Sequence, residues 1–265
     1  MSDIATRLIG QAGPRVVFLH GLFGRGKNFT SIAKALEPDF SSLLVDLPNH
    51  GESAWTDTLS YIDMADAVAD TIAEVTEPDA LPVHLVGHSM GGKVAMVLAL
   101  RHPELVERLV IVDIAPTSGG ASGEFDHLLT SLAALDLDRI TSRGQADEAL
   151  REPIADPRVR GFLLQNLRPT SAGYSWQPNL ALLKDRLPVI GGFPSVEEIG
   201  ARSFDHPVLW MAGERSDYIR PDDLSTMREL FPRTTLLTVK ESGHWVHSEQ
   251  PQTFVSALRT FLGRG

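Results

Sequence analysis

The chain has 265 residues, with 24 Lys and Arg against 34 Asp and Glu, a formal net charge of −10. That balance, with no long basic run, excludes a phosphate-tracking nucleic-acid surface, which needs clustered cations to release counterions. Cysteine is absent, which removes disulfide frameworks, thiolate-bound zinc and thiol catalysis together and makes a reducing cytoplasm the expected compartment. Met1 to Gly13 carries no basic segment followed by a long apolar run, so no secretory signal is expected. No stretch approaches the roughly 18 apolar residues that span a bilayer.

Short apolar runs recur along the chain, each stopped by Gly, Pro or Asp, as buried parallel strands do. They are Arg15 to His20, Ser41 to Asp46, Val83 to Gly87, Leu109 to Ile114, Val208 to Gly213 and Thr235 to Val239. Helical spacing predicts crossovers over Phe29 to Leu36 and Tyr61 to Val75, where Tyr61, Ala65, Val68 and Ile72 repeat on one side with Asp63, Asp66, Asp70 and Glu74 opposite. Met90 to Leu100 is apolar nearly all round and is the expected buried helix. The last helix, Pro251 to Leu262, carries Phe254, Leu258, Phe261 and Leu262 on one side. The rhythm breaks between Ala115 and Arg202, a helix-like, proline-punctuated stretch without a clear strand. It reads as an insertion over the sheet. The division is therefore a core of 1–114 and 203–265 and a helical insertion of 115–202.

Gly87-His88-Ser89-Met90-Gly91 joins a strand to the buried helix. On such a turn the serine backbone is strained, and small residues two positions to either side let strand and helix approach. The amide of Met90 then faces the same space as the hydroxyl, at the positive end of the helix dipole. A bland alternative makes Ser89 a helix cap. A serine hydroxyl attacks only with a base and an orienting carboxylate. His244, in the loop after the last strand, falls at the same carboxyl edge, and the order serine, acid, histidine fits. Two acids compete, Asp113 at the end of LVIVDI and Asp217 after the next strand. His247 beside His244 suggests a metal pair, but no further ligand cluster accompanies it, so no metal site is expected.

His20-Gly-Leu-Phe-Gly24 follows the first clear strand, and the Leu22 amide is the expected second oxyanion donor. A rival lies in the same loop: Gly21 to Asn28 nearly spells a phosphate-binding loop, but Asn28 stands where a Ser or Thr hydroxyl would hold magnesium. Phe23, His88, Phe162, Trp176 and Trp245 are the expected lining of a substrate pocket. Arg25 and Lys27 are candidates for its rim.

Together, His20-Gly-Leu-Phe-Gly24, Asn49-His-Gly51, Gly87-His-Ser-Met-Gly-Gly-Lys93, Asp113-Ile-Ala-Pro116, Phe162-Leu-Leu-Gln-Asn166 and Gly243-His-Trp-Val-His247 resemble the α/β-hydrolase superfamily, and within it the YbfF-type bacterial esterases and their mitochondrial relatives. The resemblance spans nearly the whole chain. It implies an α/β-hydrolase fold, a mostly parallel sheet flanked by helices with a helical cap inserted after the sixth strand. It also implies Asp113 rather than Asp217 as the acid, because Ser216 occupies the place of the usual acid, as in the YbfF-type pattern. The implied activity is hydrolysis of carboxylic esters or acyl thioesters through an acyl-enzyme on Ser89, with no cofactor and with a small-molecule acyl substrate. Alternatives are perhydrolysis or acyl transfer by the same residues, and a non-catalytic small-molecule receptor. The sequence carries no signal of oligomeric state.

Overall fold

A computed structural model describes residues 4–118, 122–171 and 173–263. The strands are Thr6–Ile9 (β1), Arg15–Leu19 (β2), Ser41–Val45 (β3), Val83–His88 (β4), Val106–Val112 (β5), Leu167–Thr170 (β6), Gly173–Trp176 (β7), Val208–Gly213 (β8) and Thr234–Val239 (β9). Seven form one sheet in the order β1-β3-β2-β4-β5-β8-β9. Only β1 runs antiparallel, against β3; the other pairings are parallel. The six expected strands all form, and β1 adds a seventh at the edge. Its four residues alternate weakly and are mostly exposed, so they lack the continuous apolar run that marks the buried strands.

Alternation divides the sheet into two dry faces. Val17, Leu19, Leu43, Leu85, Leu109 and Ile111 face one cluster, while Val16, Phe18, Leu44, Val86 and Val110 face the other. In chain order the helices of the first part are Thr30–Leu36 (α1), Tyr61–Val75 (α2) and Met90–Arg101 (α3). Met64, Ala65 and Val68 of α2 join Val94 and Val97 of α3 in the first cluster. Ile32, Ala33 and Leu36 of α1 belong to the second. The apolar residues of α3 lie on all sides because it is buried on all sides.

Between β5 and β8 come Ser122–Ala133 (α4), Arg143–Ala149 (α5), Pro157–Leu164 (α6), Leu180–Asp185 (α7), Leu187–Gly191 (α8) and Val196–Ile199 (α9). This segment also contains the antiparallel hairpin β6–β7, with Leu167 opposite Trp176. The expectation of no strand there is corrected: Pro169 masks an edge pairing too short to show periodicity. The segment leaves the large sheet after its fifth strand among the described residues, one earlier than the resemblance implies, because a single strand precedes β2. Leu224–Leu230 (α10), Val246–Glu249 (α11) and Pro251–Leu262 (α12) complete the chain, with Phe254, Leu258 and Phe261 of α12 closing the second face beside α1. No helix among the described residues is long and apolar enough to cross a membrane.

Candidate active site

Ser89 sits between β4 and α3 with φ 52° and ψ −121°, a conformation that costs on the order of 1–3 kcal/mol and persists only where its surroundings enforce it. Two glycines make the turn possible. A Cβ on Gly87 would lie 2.3 Å from the Gly91 carbonyl oxygen, and one on Gly91 would lie 2.4 Å from that of His20. The Ser89 amide donates to Val112 O at 3.0 Å, tying the turn to β5. Its side chain caps no amide of α3, so the bland helix-cap alternative does not hold.

His244 lies in the loop between β9 and α11, at the same edge. Its Nδ1 donates to Asp113 Oδ2 at 2.8 Å, which fixes the tautomer and leaves Nε2 as the acceptor. Asp113 is fully buried at the end of β5, with φ 52°. Its carboxylate also accepts from Gly213 N at 2.9 Å and from the Ser216 hydroxyl. Three donors satisfy a charge that burial alone would penalise. Asp217 is exposed and, among the described residues, shows no hydrogen bond to a histidine; its position one residue beyond Ser216 turns it outward. Tyr218 stacks on the other side of the imidazole, ring centroids 4.0 Å apart and planes 22° apart.

The loop after β2 approaches Ser89 closely enough that a Cβ on Gly21 would come within 3.1 Å of the Ser89 Cβ. The Leu22 amide follows it, and neither that amide nor Met90's has a turn or loop carbonyl to donate to among the described residues. Asn166 Nδ2 donates to Phe23 O at 2.7 Å, holding Phe23 at φ 61°. The phosphate-loop rival fails on geometry: Asp46 Oδ1 accepts from Gly26 N at 2.6 Å, so a carboxylate fills the place a phosphate would need.

Ser89 and His244 line one cavity of about 130 Å³, together with Leu22, Phe23, His88, Phe162 and Trp245. Of the expected lining, Trp176 is corrected. It stands on β7 opposite Leu167 and packs within the β5–β8 segment, away from the cavity. Arg25 and Lys27 do not line it either. No group of three or more metal-ligating side chains occurs among the described residues.

A family model described as the alpha/beta hydrolase fold matches residues 14–251. The chain belongs to the α/β-hydrolase family. It is 38% identical over 255 residues to the Mus musculus protein named sn-1-specific diacylglycerol lipase ABHD11, covering 94% of this chain and 81% of that one. To esterase YbfF of Escherichia coli it is 30% identical over 247 residues, 93% of this chain and 92% of that one. A solved marine microorganism esterase superposes with a TM-score of 0.92 at 31% identity, covering 98% of this chain and 100% of that chain.

In this α/β-hydrolase three buried imidazoles beside the cavity, those of His20, His88 and His247, are held neutral. His20 donates from Nδ1 to Gly21 O and accepts at Nε2 from the Leu47 amide, and burial lowers its pKa to about 4. Burial does the same to His247, to about 4, and holds His88 well below its ordinary value. His88 donates from Nε2 to His244 O at 2.9 Å, bracing the loop that carries the His244 ring. Sequence reasoning missed Tyr218, Glu124, Leu128 and Val159 as lining residues; only the fold brings them to Ser89, and no motif marks them.

Proposed function

We propose that this α/β-hydrolase cleaves carboxylic esters, and acyl thioesters by the same route, through an acyl-enzyme on Ser89. The observation that carries the reading is the His244–Asp113 hydrogen bond of 2.8 Å at a cavity shared with Ser89 on its strained turn. The names of its relatives, esterase and lipase, support ester hydrolysis in the same direction.

Ser89 Oγ attacks the acyl carbonyl as its proton passes to His244 Nε2, and Asp113 stabilises the imidazolium that forms. The Leu22 and Met90 amides receive the oxyanion, each contributing about 3 kcal/mol in a water-poor site. The protonated imidazole then gives its proton to the departing alcohol or thiol, and later activates water to release the acid. Residues 115–202 act as the cap on a core of 1–114 and 203–265. Contacts such as Asn166 to Phe23 support that division, because they join the segment to the oxyanion loop. A cytoplasmic site of action is part of the same reading.

Ser89→Ala should retain the circular-dichroism spectrum and melting temperature while losing nearly all turnover of p-nitrophenyl butyrate. Turnover within tenfold of the parent, roughly 1.4 kcal/mol in barrier, would refute the assignment.

A further inference from the structure

Glu124 lies in the first turn of α4 and lines the cavity that holds Ser89 and His244. It is the one acidic side chain on that lining, and no Lys or Arg accompanies it there. Outside the reacting groups the lining is largely apolar, with Phe23, Phe125, Leu128 and Leu163 among it. The imidazoles of His20, His88 and His247 on the same wall are neutral. Nothing on the wall therefore cancels a carboxylate charge.

A second observation brings that charge to the reacting groups. The Tyr218 hydroxyl is pushed up from its ordinary value by burial first, and then by the charges of Glu124 and Asp113. Asp113 is buried behind His244 and does not line the cavity, whereas Glu124 does. Tyr218 in turn stacks on His244, ring centroids 4.0 Å apart. The Glu124 carboxylate thus acts on the space in which the ester bond is broken. An acid in the first turn of a helix is commonplace, because it offsets the positive end of the dipole. That role alone needs no cavity and does not discriminate between substrates.

The consequence is electrostatic. A bound carboxylate meets an uncancelled like charge across apolar walls, and a bound ammonium group meets an opposite one; walls of low polarity focus such a field. Glu124 is itself exposed, so water screens part of the effect, and a change of about tenfold in rate is expected instead of the far larger factors of a dry interior. The cavity measures about 130 Å³, so a short bound ester lies within the screening length of about 8–10 Å.

We propose that Glu124 is a specificity-determining residue that selects esters by the charge of their acyl group, admitting a neutral or cationic group and turning away one that ends in a carboxylate. This rests on the acyl-enzyme reading.

Four ethyl esters test it on the full chain, as two isosteric pairs assayed by titration of the acid released. Monoethyl glutarate and ethyl 4-nitrobutanoate set a carboxylate against a neutral nitro group. Ethyl 4-(trimethylammonio)butanoate and ethyl 5,5-dimethylhexanoate set a quaternary nitrogen against carbon. At low ionic strength kcat/KM for the glutarate ester should be about tenfold below that of its nitro partner. The ammonium ester should be several-fold above its carbon partner, and both gaps should narrow as salt is added. Glu124→Gln should bring both ratios to within about twofold of unity, and Glu124→Lys should invert them. Asp79→Asn makes the same change in net charge in the exposed turn before β4, at the other end of that strand from Ser89, and should leave both ratios as they are. A shift in Asp79→Asn as large as that in Glu124→Gln would assign the effect to the net charge of the chain and overturn the proposal. Equal rates within each pair, or ratios that Glu124→Gln leaves unchanged, overturn it as well and leave the hydrolase standing. If the folded protein turns over none of the four, the hydrolase reading falls and this proposal falls with it.

Discussion

Tyr218 stacks on His244, 4.0 Å between ring centroids, and both rings line the cavity. Asp113 fixes one nitrogen of that ring, and the stack fixes its plane. Tyr218→Phe keeps the stacked face and should keep kcat within about twofold, whereas Tyr218→Ala lets the ring tilt and should lower kcat by about tenfold with little change in KM. Steady-state kinetics on p-nitrophenyl butyrate separates the two variants. A larger loss in Tyr218→Phe would mean that the hydroxyl, not the ring, matters.

Asp113 and Asp217 are separated by their surroundings. Asp113→Asn presents the wrong tautomer to His244 Nδ1 and should lower kcat by about 10³ to 10⁴. Asp217→Asn, at an exposed position, should stay within about twofold of the parent. Equal losses would show that the acid role is shared or misplaced.

Stability should fall on mild acidification. His20 and His247 are held down to about 4 and His50 to about 3, chiefly by burial, against an ordinary value of 6.5. As pH drops below 6.5 the unfolded chain binds protons on these rings while the folded chain does not, so the equilibrium shifts toward unfolding. The stability they allow is complete above 6.5 and is lost progressively down to about 4 for His20 and His247 and about 3 for His50. Urea unfolding at pH 7.5 and pH 5 should therefore give a lower midpoint at pH 5, and His50→Asn should reduce the difference. A pH-independent midpoint would contradict the neutral assignment of the rings.

Lys93, on α3 behind Ser89, is only 2% exposed. Its Nζ donates to Thr117 O at 3.1 Å, Gly191 O at 3.0 Å and Gly192 O at 2.6 Å, joining both ends of the β5–β8 segment to the core. Lys93→Met strands three carbonyls and should cost about 3 kcal/mol. Limited proteolysis should cut within that segment faster than in the parent. Unchanged cleavage would mean that other contacts carry the attachment.

Much of this was legible in the sequence because it depends on local pattern. The buried strands announce themselves as apolar runs, and Ser89 is marked by glycines that two close backbone approaches require. The acid was not legible from the residues alone, since Asp113 and Asp217 both project from the carboxyl edge and only long-range geometry brings one to His244. Trp176 illustrates the same limit from the other side. It is large, apolar and in the right segment, yet pairing with Leu167 carries it away from the cavity. Tyr218 and Glu124 join Ser89 at one cavity only through tertiary packing, and β1 lacks a pattern because one edge strand needs no buried face.

Whether Ser89 is the activated nucleophile is read by labelling with a fluorophosphonate followed by peptide mass spectrometry. One adduct per chain is expected, on the peptide containing Ser89, absent in Ser89→Ala and formed at least about 10³-fold more slowly in His244→Ala. An adduct on another serine, or labelling of Ser89 at the same rate without His244, would contradict it.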